Sequence, residues 1–426
     1  MSDSEPAPTA PHGAAPPRRT VLYDRHLALG ARMAPFAGWE MPIEYKAGIF
    51  REHAAVRSAA GLFDVSHMGI LQFSGPKAAA FLDMMLTSAV TRLMPGRAQY
   101  SCLLQPDGTA LDDLFVYRLS QSRFLLVVNA ANAQRDAEHL QAALANRLHL
   151  PQGMPPSDSV SMRDLRGAGQ DALVLLALQG PASKDLLLEL TTSDAVPVLR
   201  GARRNEVLRL ELAGLPVLAA STGYTGEETG FELFVHPDQA GQLWDLLLDR
   251  GRAHGVLPCG LGARDSLRIE AGLPLFGHEL EGPERLTPTE AGYGFVVRMD
   301  KAFFVGREAY GKRISPLRKR LLRLRGRGRR SVRAGHVVLD QDQRPAGVVT
   351  SFAFTAPDFT FHVLASVRAD FDPPVGAAIN AVRTAADRYA GPPEEDKLVS
   401  LTVLPRFPTR EERAGWGGIY NCLRPG

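Results

Sequence analysis

Two kinds of apolar segment follow one another along this chain without a regular strand–helix–strand repeat. Residues 63–73 (FDVSHMGILQF) and 124–129 (FLLVVN) are typical of strands, whereas residues 133–144 (AQRDAEHLQAAL) place apolar side chains on one helical face. Further strand-like runs, LRLELAG and PVLAAST, follow each other directly. Parallel strands need a long crossover between them, so this order predicts an α+β fold with antiparallel pairing.

The sequence changes character near residue 316. From there, short strand-like runs are separated by Gly, Pro and Asp, and helical periodicity is almost absent. Because single cores stop growing near about 250–300 residues, a chain of 426 residues needs more than one domain. We therefore expect one ordered region at residues 21–306 and a separate small β-domain at residues 316–408.

Both ends of the chain are expected to lie outside these domains. Residues 1–20 are rich in Ala and Pro and lack the apolar core of a signal peptide, which indicates a disordered, non-targeting tail. Residues 409–426 carry no clear periodicity and are assigned to a second tail.

The composition favours a cytoplasmic protein. The three cysteines are far apart and form no CxxC pattern, so neither disulfides nor a metal site is indicated. No apolar stretch approaches the ~20 residues of a membrane span, and we expect no membrane contact.

A pair of adjacent carboxylates follows a predicted turn. Strand-like residues 100–104 and 111–119 flank Pro106, Asp107 and Gly108, which predicts a β-hairpin with Asp112 roughly opposite Tyr100. Adjacent strand residues face opposite sides, so only one of Asp112 and Asp113 can point into a given cleft. The spacing alone favours a solvated hairpin edge.

Other polar residues also leave alternatives open. His67 stands among apolar neighbours and is interpreted as a hydrogen-bonded core residue, although Met68 beside it could line a pocket. The glycine-rich segment around Glu232 is typical either of a loop over a flat ligand or of a structural turn. A helix is expected from about Leu261 to Gly272, with Arg264 and a second arginine on one face.

Seven segments together resemble the glycine cleavage T-protein, or aminomethyltransferase, family. The family pattern includes FAGWEMP, AGLFDVSHMG, a DDL segment, VVNAxN, ALQGP, TGYTGE and GLGARDxLR. Its counterparts here are residues 36–42, 52–69, 99–118, 127–132, 177–181, 222–232 and 260–279. The resemblance runs from about residue 23 to residue 349.

The resemblance implies a three-domain, cloverleaf-like α+β fold with a C-terminal β-barrel domain. Residues 21–306 would then form two interleaved α+β domains that bind tetrahydrofolate in a central channel. A lipoyl-bearing carrier protein would deliver an aminomethyl group, and the products would be methylenetetrahydrofolate, ammonia and the reduced carrier.

The resemblance also implies roles for individual residues. Asp112 falls on the family's essential aspartate, where a carboxylate could orient the folate amine and stabilise positive charge at the transferred carbon. Glu232 matches a pterin-binding glutamate. The other expected folate-channel residues are Tyr100, Asn129, Arg264 and Met68, and Arg320 is expected on the carrier side.

The sequence departs from the family in four places. The segment TGYTGEETGFE has one residue more than usual before Glu232, and the TSGxFSPxL motif is altered at residues 350–357. The loop at residues 385–396 and the tail beyond about residue 410 have no counterpart in the family. These departures keep open a folate-dependent transferase or demethylase that acts on a small-molecule amine. A folate-binding iron–sulfur maintenance factor is less favoured, because residues 300–308 lack the cysteine of its KGCYxGQE motif.

Residues 312–333 contain eleven Lys or Arg and no acid. This basic run could steer an acidic carrier protein, or it could form a solvated strand face, because LLRLRGRG alternates apolar and charged residues. RNA binding would need aromatic residues for base stacking, and none stands between Ser315 and Ser351. We therefore expect no nucleic-acid partner.

Overall fold

The computed structural model describes residues 16–148, 159–167, 169–389, 391 and 393–420. Its helices are α1 (Tyr23–Ala28), α2 (Ile49–Ser58), α3 (Ala78–Met85), α4 (Ala133–Leu144), α5 (Ser183–Leu190), α6 (Val196–Gly201), α7 (Pro237–Gly251), α8 (Leu261–Glu270), α9 (Arg307–Arg313) and α10 (Arg410–Tyr420). Among these described helices, none is both long enough and apolar enough to cross a membrane.

The strands of the described chain form three sheets and one barrel. They are β1 (Arg18–Arg19), β2 (Arg32–Phe36), β3 (Trp39–Glu44), β4 (Ala60–Asp64), β5 (Gly69–Ser74), β6 (Arg97–Leu104), β7 (Ala110–Arg118), β8 (Arg123–Val128), β9 (Ser161–Asp164), β10 (Val174–Gln179), β11 (Val207–Leu212), β12 (Leu215–Ala220), β13 (Gly230–Val235), β14 (Val256–Pro258), β15 (Lys319–Arg327), β16 (His336–Leu339), β17 (Pro345–Phe354), β18 (Thr360–Arg368), β19 (Ala378–Ala385) and β20 (Leu398–Leu404). A small sheet has the order β1-β3-β2.

Two larger sheets build the N-terminal region. One has the order β11-β12-β13-β10-β4-β14, and the other has the order β6-β7-β8-β5-β9. The second is antiparallel throughout, and the first is antiparallel except where β14 pairs with β4. The predicted antiparallel α+β architecture is therefore present.

The sheets pack because apolar side chains cover both of their faces. A buried cluster that includes Phe63, Ile70, Tyr117 and Phe234 lies between strands of the two sheets. Trp244 of α7 belongs to a second cluster, on the six-stranded sheet, and helices α3 and α4 cover the five-stranded sheet. Central strands such as β10 are buried at every position, which explains their continuous apolar sequence.

The C-terminal strands close into a barrel with the order β15-β18-β17-β16-β19-β20. Its interior contains Leu324, Val338, Phe361 and Leu401, all nearly inaccessible to solvent. Closure pairs every strand on both sides, which removes exposed sheet edges. The expected C-terminal β-barrel is thus present in the structure.

Part of the N-terminal segment that the sequence predicts to be disordered is ordered. The two residues of β1 pair in parallel with Trp39 and Glu40 of β3. The Thr20 hydroxyl then donates a 2.7 Å hydrogen bond to the buried carboxylate of Asp64. The predicted tail is therefore wrong for these residues, and residues 1–15 lie outside the described part of the chain.

The prediction of a tail at residues 409–426 is wrong for α10. This helix buries Trp416 and Tyr420 against α2 and α8. The Arg57 guanidinium lies 3.8 Å from the Trp416 ring centroid, and the Tyr420 hydroxyl donates a 2.6 Å hydrogen bond to Glu270. Tertiary contacts hold this short helix, which explains why its own periodicity is weak. Residues 421–426 lie outside the described part of the chain.

Candidate functional site

A cavity of about 610 Å³ lies where the five-stranded sheet meets α8, β13 and several loops. This volume falls within the range of about 300–1,000 Å³ that is usual for small-molecule sites. Five residues predicted from the sequence line it together: Met68, Tyr100, Asn129, Glu232 and Arg264. Its wall also includes residues that the sequence did not single out as ligand contacts: Phe36, His67, Asp113, Phe115, Tyr117, Tyr224 and His278.

The register of the β6–β7 hairpin differs from the prediction. Tyr100 pairs with Phe115, and Asp112 pairs with Leu103. The turn closes through Gln105 and Thr109, whose backbone hydrogen bond is 2.8 Å long, and this closure fixes the register of the strands beyond it. The expectation that Asp112 lies opposite Tyr100 is therefore wrong.

The alternation of side chains along β7 places Asp113 in the cavity and Asp112 behind it. Asp113, Phe115 and Tyr117 line the cavity, and Asp112 does not. Asp112 has no exposed surface and lies on the face of β7 that also carries Val116 of the α3–α4 core. The geometry thus favours Asp113, and not the predicted Asp112, as the carboxylate that meets a ligand.

Asp113 is held by two neighbours that also line the cavity. The Tyr100 hydroxyl donates a 2.6 Å hydrogen bond to one carboxylate oxygen, and the Asn129 side-chain amide donates a 3.0 Å hydrogen bond to the other. Tyr100 reaches Asp113 diagonally, because its direct partner Phe115 is two residues further along β7. Burial, followed by the charge of Asp112, raises the pKa of Asp113 to about 7.

Glu232 presents one free oxygen at the opposite wall. Its Oε2 accepts hydrogen bonds from the Tyr117 hydroxyl, at 2.7 Å, and from the Thr222 hydroxyl. Within the described residues, no donor contacts Oε1, so this oxygen can accept a hydrogen bond from a ligand. The strand position of Glu232, opposite Ala177 of β10, keeps the carboxylate in place.

The turn before Glu232, where the sequence is one residue longer than the family pattern, leaves this carboxylate at the wall of the cavity. Two glutamates of the turn are anchored away from the cavity, because Glu227 pairs with Arg57 at 2.7 Å and Glu228 pairs with Arg413 of α10 at 3.2 Å. Tyr224 in the same segment still lines the cavity. These two ion pairs hold the turn against α2 and α10.

Arg264 and Arg268 share one face of α8 but have different surroundings. Arg268 is buried and contacts Asp265, Glu279 and Ser351 at 2.8, 2.8 and 2.9 Å. Across the described residues, no carboxylate or carbonyl accepts a hydrogen bond from Arg264, whose guanidinium lies 5.2 Å from the ring centroid of Tyr224. Arg268 also lines the cavity, but its donors join α8 to the barrel, whereas the donors of Arg264 remain available to a ligand.

His67 is a wall residue as well as a buried one. It is 3% exposed, packs edge-on against Phe36 with ring centroids 5.7 Å apart, and lines the cavity beside Met68. Neither ring nitrogen has a hydrogen-bond partner among the described residues, contrary to the predicted hydrogen-bonded core histidine. Burial lowers the pKa of His67 to about 4, so the ring is neutral at pH 7.

Arg320 lies outside the cavity. It stands at the beginning of the barrel, in β15, and forms an ion pair with the exposed Asp372. Its side chain is partly accessible, and so are Arg325 and Arg327 on the same strand. Arg323, by contrast, is fully buried and pairs with Glu412 of α10. The basic run therefore contains a buried arginine that holds α10 against the barrel and accessible basic side chains on the surface.

Comparisons with known proteins agree with this architecture. Residues 22–301 match the family model described as the GCVT N-terminal domain. An aminomethyltransferase of Symbiobacterium thermophilum is 42% identical over 71% of this chain and 77% of its own length. One of Streptomyces coelicolor is 44% identical over 76% of this chain and 82% of its own length.

The crystal structure of the glycine cleavage system aminomethyltransferase T from Bartonella henselae superposes with a TM-score of 0.74 and 31% identity. The match covers 91% of this chain and 97% of the Bartonella chain, so it includes the barrel as well as the cavity region. The chain belongs to the aminomethyltransferase family of the glycine cleavage system.

Proposed function

We propose that the chain transfers the methylene carbon of an S-aminomethyldihydrolipoyl carrier protein to tetrahydrofolate and releases ammonia. One observation carries this proposal. The cavity presents a carboxylate at Asp113, one oxygen of Glu232 and the guanidinium of Arg264, and the last two have no hydrogen-bond partner within the described residues. Together these groups offer acceptors and donors suited to a flat heterocycle that carries both amino and carbonyl groups.

Glu232 and Arg264 would hold the pterin end of the folate. The free oxygen of Glu232 can accept from the ring's amino and NH groups, and Tyr117 fixes the orientation of this carboxylate by donating to its other oxygen. The planar guanidinium of Arg264 can donate to the ring carbonyl. The apolar surfaces of Met68 and Phe115 would then cover the ring.

Asp113 would act on the reacting nitrogen and carbon. An ionised carboxylate can orient the nucleophilic amine and stabilise positive charge as the bond between the transferred carbon and its leaving group weakens. Tyr100 and Asn129 donate to Asp113 and limit its rotation, so its oxygens are already placed when the substrate binds. This role replaces the one that the sequence assigns to Asp112.

The accessible basic residues of the barrel would receive the carrier protein. Arg320, Arg325 and Arg327 lie on one strand, and Arg329 and Arg330 follow it. A positive surface accelerates the approach of an acidic partner, and the effect weakens as salt screens it. We place the docking face of a lipoyl carrier protein on this side of the barrel.

The test is tetrahydrofolate-dependent release of ammonia from an aminomethylated lipoyl carrier protein. We expect turnover with the carrier and none with small methylated amines offered at the same concentration. Turnover with free amines that ignores the carrier would instead establish a small-molecule transferase or demethylase. Glu211→Gln, on an exposed position of β11, is a control for the purification and the assay.

A further inference from the structure

A second carboxyl group, that of Asp136, stands behind the cavity within hydrogen-bond reach of the Asp112 side chain. Asp136 projects from the first turn of α4 and, like Asp112, has no exposed surface. Neither carboxylate oxygen of Asp136 receives a hydrogen bond from any donor in the described residues. A buried carboxylate that lacks donors is costly when ionised, so this arrangement indicates a group that keeps its proton.

Asp112 has the opposite surroundings. It accepts hydrogen bonds from the Asn129 backbone at 2.9 Å, from the Asn129 side chain at 2.8 Å, and from the Asn132 side chain at 2.5 Å. A carboxylate that accepts several N–H groups is stabilised in its charged form. A protonated Asp136 would add one further donor, so the two side chains are complementary when they hold one proton between them.

The charged groups around the pair do not neutralise it. Arg135 of α4 directs its guanidinium to the Leu111 carbonyl and to Asn132, and in the described chain it forms no ion pair with either carboxylate. Asp113 follows Asp112 on β7 with its side chain on the other face of the strand, and the buried Cys102 of β6 pairs with Asp113 and not with Asp112. Burial and the charge of Asp112 both raise the pKa of Asp136, against a smaller effect of Arg135.

We propose that Asp112 and Asp136 form a carboxyl pair that shares one proton and positions Asn129, and through it Asp113, at the wall of the cavity. Asn129 is the connection, because its side-chain amide donates to both Asp112 and Asp113. Asp136 is thus a positioning residue that never touches a ligand. The effect on turnover rests on the proposed function, whereas the shared proton belongs to the ligand-free protein.

The first test measures proton linkage of unfolding. Urea unfolding of the ligand-free wild type and of Asp136→Asn is compared between about pH 5 and pH 8, with Glu138→Gln as the control, since Glu138 is an exposed acid on the same helix. If Asp136 holds a proton that the unfolded chain releases, the free energy of unfolding of the wild type falls as pH rises. It falls more steeply than that of Asp136→Asn, and the difference in slope corresponds to about one proton. Equal slopes would overturn the proposal.

The second test does not depend on a variant that folds. Infrared spectra of the wild type are recorded above about pH 8, where Asp113, with a pKa of about 7, is largely ionised. A shared proton predicts a persistent carboxylic-acid C=O band that shifts in heavy water. Absence of this band would overturn the proposal. Asp136→Asn, if it folds, should lack the band while Glu138→Gln keeps it.

The third test connects the pair to turnover. Asp136→Asn preserves a neutral donor, so it should retain at least about tenfold more activity than Asp136→Ala, which leaves Asp112 without that donor. Asp112→Asn removes the charge nearest Asp113 and so should lower the pKa of Asp113. The loss of rate at acidic pH should then occur at a pH lower by about one unit. If the two Asp136 variants are equally active, and Asp112→Asn loses rate at the same acidic pH as the wild type, the positioning role is wrong. If the wild type is inactive but its free energy of unfolding depends on pH as expected in the first test, only the proposed function is wrong.

Discussion

The Tyr117 hydroxyl of β7 donates a 2.7 Å hydrogen bond to Glu232 of β13 and so joins the two large sheets across the cavity. Each residue lies on a strand whose register is fixed by its neighbours, Tyr117 opposite Leu125 and Glu232 opposite Ala177. The acceptor at the cavity wall is therefore positioned by the packing of the sheets and not by a flexible loop.

Replacement of Glu232 by Gln should weaken folate binding. The change removes the charge from the acceptor, and loss of a hydrogen bond to a charged group costs about 1.5–3 kcal/mol, or roughly a tenfold to hundredfold rise in Kd. Tyr117→Phe should have a smaller effect, because Thr222 still donates to Oε2. Calorimetric titration with tetrahydrofolate measures both, and an unchanged Kd for Glu232→Gln would remove this residue from the site.

Asp113→Asn should reduce kcat by about 10²- to 10⁴-fold, the usual contribution of a positioned acid or base. The amide cannot carry the negative charge that we assign to this position, whereas folate should still bind through Glu232 and Arg264. Single-turnover ammonia release, measured beside the exposed-site variant Asp249→Asn, checks this. Full activity of Asp113→Asn would return the role to Asp112 or to another group.

The rate should rise with pH across about pH 7. Asp113 acts in its ionised form, so about half of the activity should be lost when the pH falls to its pKa of about 7. A raised carboxyl pKa means that the fold prefers the neutral acid, so Asp113 lowers stability as pH increases from its unfolded pKa of about 4 to 7. A pH profile of kcat/KM that stays flat from about pH 6 to 8 would argue against an ionised Asp113.

Arg264 and Arg268 should respond differently to substitution by Met. Arg264→Met should weaken folate binding with little effect on stability, because it has no hydrogen-bond acceptor in the described structure. Arg268→Met leaves the buried Glu279 without its ion-pair partner, and breaking such a pair costs about 3–5 kcal/mol. Urea unfolding and folate titration of both variants test this contrast, and a reversed pattern would show that the two roles are misassigned.

Trp416→Ala should destabilise the protein by about 3–5 kcal/mol, because it empties a buried aromatic site and removes the contact with Arg57. The same helix anchors the turn before Glu232 through Arg413, so folate affinity should fall as well. Ala414→Ser, on the exposed face of α10, is the matched control. Wild-type stability in Trp416→Ala would mean that α10 is not docked in solution.

Much of the architecture could be predicted from patterns along the chain. The order of its apolar segments predicted antiparallel α+β sheets, and the change near residue 316 predicted a β-domain that proves to be a closed barrel. The family resemblance brought together Met68, Tyr100, Asn129, Glu232 and Arg264, which line one cavity. Local patterns sufficed here because strand periodicity and turn residues depend on neighbours in the chain.

Features that depend on residues distant in the chain could not be predicted in this way. Alternation along β7 shows that one aspartate of the pair faces a cleft, but only the packing of α4 against the opposite face places Asp112 inside and Asp113 at the cavity. The helix α10 has weak periodicity of its own and is held by Arg57 and Glu270, which are remote in sequence. Burial and long-range hydrogen bonding set these outcomes, and neither is encoded in a local pattern.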